Sequence, residues 1–477
     1  MSPRQLQARD LLIRIDRTRR AAIGRQIEDS LREAIRSRTL VPGSDLPSTR
    51  ALAEELSVSR GVIVRAYAQL AAEGYLDLRQ GANPAVRDVL ELPAVPPAAT
   101  RETRTRYDLR PHVPEVGTFP RQEWLRSLRD ALSTATDADL GYIDSHGLEQ
   151  LRREVSAYLG RARGVAAHPE QIVITAGSSH SISLIARVLA RSGVTAIGFE
   201  NPSHRMLHAV AERAGLTPVG LPVDRDGLVA SALDEATVGA VVVSPAHQFP
   251  TGRVLSAERR AELVLWARES GGLIVEDDYD AEFRYDRAPV AALHGLSPEQ
   301  VAYIGSTSKT LSPAIRIGWA VLPRALAASV AEELACSVLH LSAIDQLAFA
   351  DFLRRGEFDR HLRRMRAVYR GRRDALVGAL EQQLPHLRVS GAAAGLHVVL
   401  ELPAEIDEAA VCTQAQARGV TVQSLSDHAL PGYAGPGGLL IGYGGILDPA
   451  LPHAIAELAT AIAAVSRNGH RPASSKP

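Results

Sequence analysis

Over most of its length this chain alternates short, wholly apolar runs with amphipathic stretches, and that alternation restricts the fold more than any other feature. From Tyr107 to about Ser466, "QIVIT" precedes "SHSISLIARVLARSG", "VTAIGFE" precedes "RMLHAVAERAG", and "GAVVVSP" and "GGLIVED" follow. A strand that is apolar on both faces must be covered on both faces, and helices are the usual cover. Runs of this kind bounded by Gly, Pro and Asp predict an α/β body built on a parallel sheet. After Pro323 the pattern is mostly helical, and from about Leu387 the short runs "GLHVVLEL" and "GLLIGY" predict a smaller α+β lobe. In an open α/β sheet, ligands bind beyond the C-terminal ends of the strands, so chemistry is expected at those ends.

At 477 residues the chain exceeds one core and predicts two or three domains. The formal charge is zero overall, which argues against a protein that coats nucleic acid or membrane with its whole surface. Cys336 and Cys412 are too few for a disulfide framework, so a reducing cytoplasm fits. The start "MSPRQLQARD" has no apolar leader, and the sequence reading finds no run approaching the roughly 18 apolar residues of a span, so no membrane partner is expected. No metal is expected. The predicted organisation is a basic head over residues 1–83, a proline-containing linker over 84–106, the body over 107–466 and a disordered tail over 467–477.

The head carries 14 Arg against 10 Asp and Glu, a local net charge of about +4. "LPSTRALAEELSVSRGVIVRAYAQLAAEGYLDLRQG" parses by its caps. Ser48 opens one helix, Ser59 opens a second that ends at Gly74, and "YLDLRQG" alternates like the strand of a wing. Two helices across a tight turn followed by a hairpin predict a winged helix-turn-helix, with promoter DNA as partner. Arg60 and Arg65 fall where a recognition helix meets bases and phosphates, Arg50 lies in the helix before it, and Arg79 lies on the wing. Ser48, Arg50, Ser59, Arg60, Arg65 and Arg79 are therefore the candidate DNA-contacting residues.

Of 54 basic residues only two are lysines, Lys309 and Lys476, and Lys476 lies one residue from the end. An amine can lose its proton and attack a carbonyl, whereas a guanidinium cannot, so a site that needs a Schiff base must keep lysine. The surroundings of Lys309 support that reading. Asp277 ends the apolar run "GGLIVED", where it could keep a pyridine nitrogen protonated, and Tyr279 is placed to bond a ring oxygen. "ITAGSSHSISL" is a strand, a glycine turn and a helix start, whose N–H groups with Ser178 and Ser179 suit a phosphate. Ser306, Ser308 and Arg316 add donors around the lysine. His247 and Gln248, in "SPAHQFPTGR", are expected near a ring oxygen, and His204 is expected to stack on a ring face. Together these residues describe a pyridoxal 5′-phosphate site.

Over about 50 residues the head resembles the DNA-binding domain of GntR-type regulators, although the wing reads "RQGANPAVRD" where a Gly-Ser-Gly-Thr stretch is usual. "GYIDSHGLEQLRREVSAYL", "SPAHQFPTG", "EDDYDAEFRY", "GSTSKTLSPAIRIGW" and "FDRHLRRMRAVYRGRRD" resemble the fold-type I aminotransferase domain of MocR-type regulators. The resemblance implies a Schiff base at Lys309, Asp277 on the pyridine nitrogen and Tyr279 on the ring oxygen. It also implies a head-to-tail homodimer in which Tyr142 reaches the partner's phosphate. The function so implied is a transcriptional regulator that senses an amine effector, or pyridoxal phosphate itself. The alternative is an aminotransferase with an appended DNA-binding domain. Enzymes of this fold usually hold the substrate carboxylate with an arginine near the C-terminus. Here "GGLLIGYGG" has Leu440 at that place, and Arg205 is a candidate substitute.

Overall fold

The computed structural model describes residues 13, 15–17, 22–79, 81–88, 105–285, 291–338, 340–391 and 394–469, with 467–469 as backbone only. It divides into two compact units, Met1–Arg101 and Glu102–Pro477.

The first unit is three helices, Ile23–Arg36, Thr49–Glu55 and Arg60–Ala72, followed by an antiparallel ribbon of Leu76–Asp77 with Ala85–Val86. Apolar residues at helical spacing make its core: Ile27, Leu31 and Ile35 meet Leu52, Ile63, Tyr67 and Leu70. The buried Tyr67 hydroxyl donates to the Pro47 carbonyl at 3.0 Å, tying the third helix to the approach of the second. Ser48 caps its helix through its hydroxyl, which accepts from the Ala51 N–H at 3.2 Å. Ser59 occupies the equivalent place before the third helix, but its side chain makes no cap bond, which corrects the sequence expectation. Gly74 sits at φ +84°, the left-handed conformation that lets the chain leave the helix and enter the wing. Ala85 and Val86, expected in the linker, form the wing's second strand. Most of the expected linker, residues 89–104, lies outside the described residues.

The second unit is built on an eight-stranded sheet in the order Ile172–Thr175, Gly318–Val321, Val301–Ser306, Leu273–Asp277, Ala240–Val243, Ala196–Asn201, Thr217–Asp224, Gly227–Leu228. The sheet is mixed, not purely parallel. Gly318–Val321 runs antiparallel to both neighbours, and Gly227–Leu228 is antiparallel to Thr217–Asp224. The reason is chain length. Residues 307–317 hold one helical turn and a 3-10 turn, too few for the crossover a parallel return requires.

Helices Ser178–Arg191, Arg205–Arg213 and Arg324–Val338 cover one face, burying Val173, Phe199, Val242 and Ile304. Helix Ala257–Ser270 covers Val241, Ile274 and Val301 on the other, and Glu149–Arg163 and Ala343–Arg354 pack beside Trp319. Covering both faces is what makes these strands apolar throughout.

The smaller lobe is a four-stranded antiparallel sheet in the order Val389–Ser390, His397–Leu402, Gly437–Gly442, Gln423–Ser424. Helices Glu408–Ala417 and Leu451–Gly469 pack with it. Contrary to the sequence reading, Asp448–Ser466 is long and apolar enough to meet the test for a span. Its residues Ala454, Ile455, Leu458, Ala461 and Ile462 are buried in the core of this unit. The tail expected from residue 467 begins as helix through Gly469, and residues 470–477 lie outside the described residues.

Candidate functional site

The C-terminal ends of several strands converge on a cavity of about 240 Å³ lined by Lys309, Asp277, Tyr279, Ser178, Ser179, His204, Ser306, Ser308 and Arg316. These are nine of the twelve positions singled out in the body from sequence, and the fold collects them from residues 178 to 316. Strand Ile172–Thr175 turns at Gly177, φ +112° and ψ 176°, into helix Ser178–Arg191. A Cβ on Gly318 of the adjoining strand would lie 2.6 Å from the Gly177 Cα, so this junction holds two glycines in direct contact. The helix start presents unpaired N–H groups to the cavity. The Ser178 hydroxyl is buried and has no hydrogen-bond partner among the described residues.

Asp277, the last residue of strand Leu273–Asp277, is buried, and its Oδ1 is likewise unpartnered among the described residues. Burial pushes its carboxyl up to about 7, against the nearby Ser178 hydroxyl, which stands just outside hydrogen-bond geometry; the negative neighbours Asp278 and Asp280 push the same way as burial, and Lys309 opposes them. Lys309 lies in the helical turn Thr307–Thr310, and its Nζ donates to the carbonyl of His112 at 2.7 Å. Burial lowers this amine to about 8, against the pull of Asp280 and Asp277 towards the charged form. It is the only lysine among the described residues. Ser306 caps the same turn, accepting from the Ser308 N–H at 3.4 Å. Arg316 takes φ +55°, and its exposed guanidinium makes no hydrogen bond or ion pair among the described residues.

The His204 Nδ1 caps helix Arg205–Arg213, accepting from the Met206 N–H at 3.2 Å. Its ring lies 4.7 Å from that of His112. Burial lowers it to about 4, so the imidazole is neutral near pH 7. The Tyr279 hydroxyl sits 3.0 Å from the His247 Nδ1, and burial, reinforced by Asp280, holds the phenol far above its ordinary pKa.

Three expected positions do not line the cavity. His247 and Gln248, placed near a ring oxygen from sequence, are buried behind the wall. The His247 Nδ1 lies 3.0 Å from Asp280 Oδ2, and the Gln248 amide donates to the carbonyls of Pro202 and Phe249 at 2.7 and 2.6 Å. Their hydrogen bonds hold the loop on which Phe249 is presented. Tyr142 is 90% exposed.

The cavity also contains residues that sequence reasoning missed. His112, φ +75° and half-buried, packs its ring 4.3 Å from that of Phe249. Glu200 accepts from the Ser244 N–H at 2.9 Å and is raised to about 8 by burial and then by Asp277. The Asp/Glu at a strand end was the available signal for Glu200, since it closes "VTAIGFE" as Asp277 closes "GGLIVED". His112 had none. Leu440 is fully buried and packs with Phe249, Val399 and Leu425, so no cation stands at that place. Arg205 is exposed and is not part of the cavity lining.

On the head, Arg50, Arg60, Arg65 and Arg79 are all exposed, as are Ser48 and Ser59. Arg60, Gly61, Val64, Arg65, Ala68 and Gln69 form the exposed stripe of the third helix, opposite buried Ile63, Tyr67 and Leu70. The Arg60 Nε donates to Thr49 Oγ1 at 3.3 Å, while Arg50 and Arg79 make solvent-exposed pairs with Glu54 and Asp77. Such pairs contribute little to stability and leave both cations available.

Residues 23–85 match the family described as bacterial regulatory proteins, gntR family, and residues 115–434 match aminotransferase class I and II. The HTH-type pyridoxine biosynthesis transcriptional regulator PdxR of Corynebacterium glutamicum is 32% identical over 460 residues, covering 95% of this chain and 99% of the relative. The probable rhizopine catabolism regulatory protein MocR of Rhizobium meliloti is 30% identical over 484 residues, 96% and 97% of the two chains. Among solved structures, an archaeal alanine:glyoxylate aminotransferase superposes with a TM-score of 0.70 at 26% identity, over 75% of this chain and 91% of that one. A GntR-type winged helix-turn-helix and a fold-type I aminotransferase-like body are joined in one chain that aligns end to end with such regulators, and the chain belongs to the MocR-type transcriptional regulators of the GntR family.

Proposed function

We propose that this protein is a DNA-binding transcriptional regulator that carries pyridoxal phosphate on Lys309 and answers to an amine effector or to pyridoxal phosphate itself. The observation that carries this reading is Lys309: the one lysine among the described residues, half-buried at the strand ends of the body, in a cavity it shares with the buried carboxylate of Asp277. The residues present fit the cofactor. The Ser178 hydroxyl, the N–H groups after Gly177, Ser179, Ser306, Ser308 and the unpaired Arg316 would hold the phosphate. The Oδ1 of Asp277 would accept a hydrogen bond from the protonated pyridine nitrogen and keep it charged, Tyr279 would bond the ring oxygen, and His204 would cover a ring face. When bound, the cofactor supplies an aldehyde carbon that amines attack.

Each side chain has a definable task. Burial brings the Lys309 amine down to about 8, so a useful fraction is neutral and nucleophilic near neutral pH. With the cofactor bound, a cationic ring nitrogen near Asp277 would favour the ionised carboxylate and oppose the effect of burial. The packed rings of His112 and Phe249 form part of the chamber wall, and the His112 carbonyl accepts from the Lys309 amine. An effector can shift the body between arrangements only through its differential affinity for them; tenfold discrimination needs about 1.4 kcal/mol, within reach of one charged contact.

In the head, Arg60 and Arg65 would meet the major groove, with Arg50, Arg79, Ser48 and Ser59 on the flanking backbone. The working form we propose is a cytoplasmic head-to-tail homodimer, to which exposed Tyr142 contributes across the interface. Against a primary transaminase role stands Leu440, buried among apolar side chains where a carboxylate-gripping cation would be needed.

The test is DNA affinity and operator response of wild type and Lys309→Ala, each with and without pyridoxal phosphate. The expected result is a cofactor-dependent response in wild type that the variant loses. Identical behaviour of the two proteins would defeat the sensor reading, and steady-state keto-acid production at ordinary enzyme rates would replace it with the aminotransferase.

A further inference from the structure

A second cavity, of about 290 Å³, opens where the end of helix Glu149–Arg163 meets Ala281–Glu282 and the first turns of helix Glu357–Gln383. Its lining shares no residue with the chamber at Lys309. Its walls are strongly cationic, with Arg161, Arg163, Arg363 and Arg366 against the acids Glu282 and Asp359.

Arg163 is the informative member. Its side chain is 2% exposed, and its Nε donates to Asp278 Oδ2 at 2.7 Å. Both Nη atoms are buried and have no acceptor among the described residues. A guanidinium cannot shed its charge, so the terminal donors of this fork stand in the interior unanswered. Buried charged donors without acceptors are rare, because the lost hydration is not returned.

The other groups in the cavity are unequally engaged. Arg161 is paired with Asp359 at 2.9 Å, and the Arg366 Nε donates to the Glu282 carbonyl at 2.6 Å. Arg363 is exposed and makes no hydrogen bond or ion pair among the described residues. Glu282 accepts from the Tyr158 hydroxyl at 3.0 Å through Oε1, while its Oε2 is buried and unpartnered among the described residues. One space thus holds surplus donors of a cation and one surplus acceptor.

We propose that this cavity is a second ligand site, taking a small oxyanion on Arg163 and Arg363 whose adjacent hydroxyl donates to Glu282 Oε2. Hydrogen phosphate and 2-hydroxycarboxylates share that chemistry: oxygens for a guanidinium fork and one O–H for the remaining carboxylate oxygen. The cavity reaches the Lys309 chamber through one peptide, since the acceptor of Arg163 is Asp278, next to Asp277.

The test is calorimetric titration of inorganic phosphate, L-lactate and sulfate into the full-length protein in excess pyridoxal phosphate, using wild type, Arg363→Ala and Arg316→Ala. Arg363 is exposed, so its variant keeps the fold, and an unchanged melting temperature verifies this. We expect millimolar or tighter binding of phosphate or lactate, the stronger of the two naming the ligand class. Sulfate, which carries no hydroxyl at neutral pH, binds more weakly. Arg363→Ala weakens binding about tenfold or more, the effect of losing one charge-assisted contact, and Arg316→Ala leaves it unchanged. Absence of binding in wild type would mean that the cavity holds water only. Binding indifferent to Arg363→Ala would place the anion elsewhere, and sulfate binding as tightly as phosphate would remove Glu282 from the site. Each of these results overturns the proposal.

Discussion

At the scale of single residues, Lys309 and Asp277 are a matched pair whose environments push them in opposite directions. Burial disfavours charge on both, bringing the amine down to about 8 and the carboxyl up to about 7, which narrows the gap between them. Lys309→Arg keeps a cation and removes the nucleophile, so borohydride trapping of pyridoxal phosphate at position 309 should fall to background, measured by peptide mass spectrometry. The pH course of that trapping in wild type follows from the sign of the shift. The free amine is the reacting form, so the attachment rate should climb as pH rises through about 8 and level off above it. A flat rate between pH 6 and 9, read by stopped-flow absorbance, would contradict a depressed amine. Asp277→Asn keeps the shape and loses the charge opposite the ring nitrogen. About 1.5–3 kcal/mol is the usual worth of a hydrogen bond to a charged group, so cofactor affinity should drop roughly ten- to a hundredfold by equilibrium dialysis.

At the scale of elements, helix ends do most of the positioning. Helix Ser178–Arg191 starts at Gly177, whose φ of +112° is unfavourable for any residue with a Cβ. In the head, the cap that the structure contains is Ser48, and Ser48→Ala should cost the winged helix unit about 1 kcal/mol, visible as a lower melting temperature of that unit. Ser59→Ala should cost less, because that hydroxyl bonds no backbone N–H. The two serines look alike in sequence, and only the loop geometry before each helix separates them. On the exposed stripe of helix Arg60–Ala72, Arg65→Ala should weaken operator binding and flatten its salt dependence without altering the fold. Fluorescence anisotropy across a salt series reads both effects, and an unchanged slope would take Arg65 off the phosphate backbone.

At the scale of the whole molecule, the proposed homodimer would give Tyr142 a use, since its ring is 90% exposed in one chain and meets the His340 ring edge-on with centroids 6.2 Å apart. Light scattering should return twice the 51.2 kDa chain mass. Tyr142→Ala should preserve the melting temperature and lower cofactor retention; full retention would separate this residue from the partner's site. The features legible from sequence were those that local rules control. Apolar runs located the strands, because a strand covered on both faces has no polar positions. The scarcity of lysine singled out Lys309 because an amine, unlike a guanidinium, can form a Schiff base with a carbonyl, and strand-end position drew attention to Asp277 and the Gly177 turn. Tertiary structure alone decided what closes over them. The His112 carbonyl that holds Lys309 lies 197 positions away, and Arg163 is joined to Asp278 across 115. Periodicity and capping act over a few residues, whereas these contacts exist only because strands distant in sequence lie side by side in the sheet. The reversed strand Gly318–Val321, the retreat of His247 and Gln248 behind the wall, and the second cavity at Arg163 were all set by that packing.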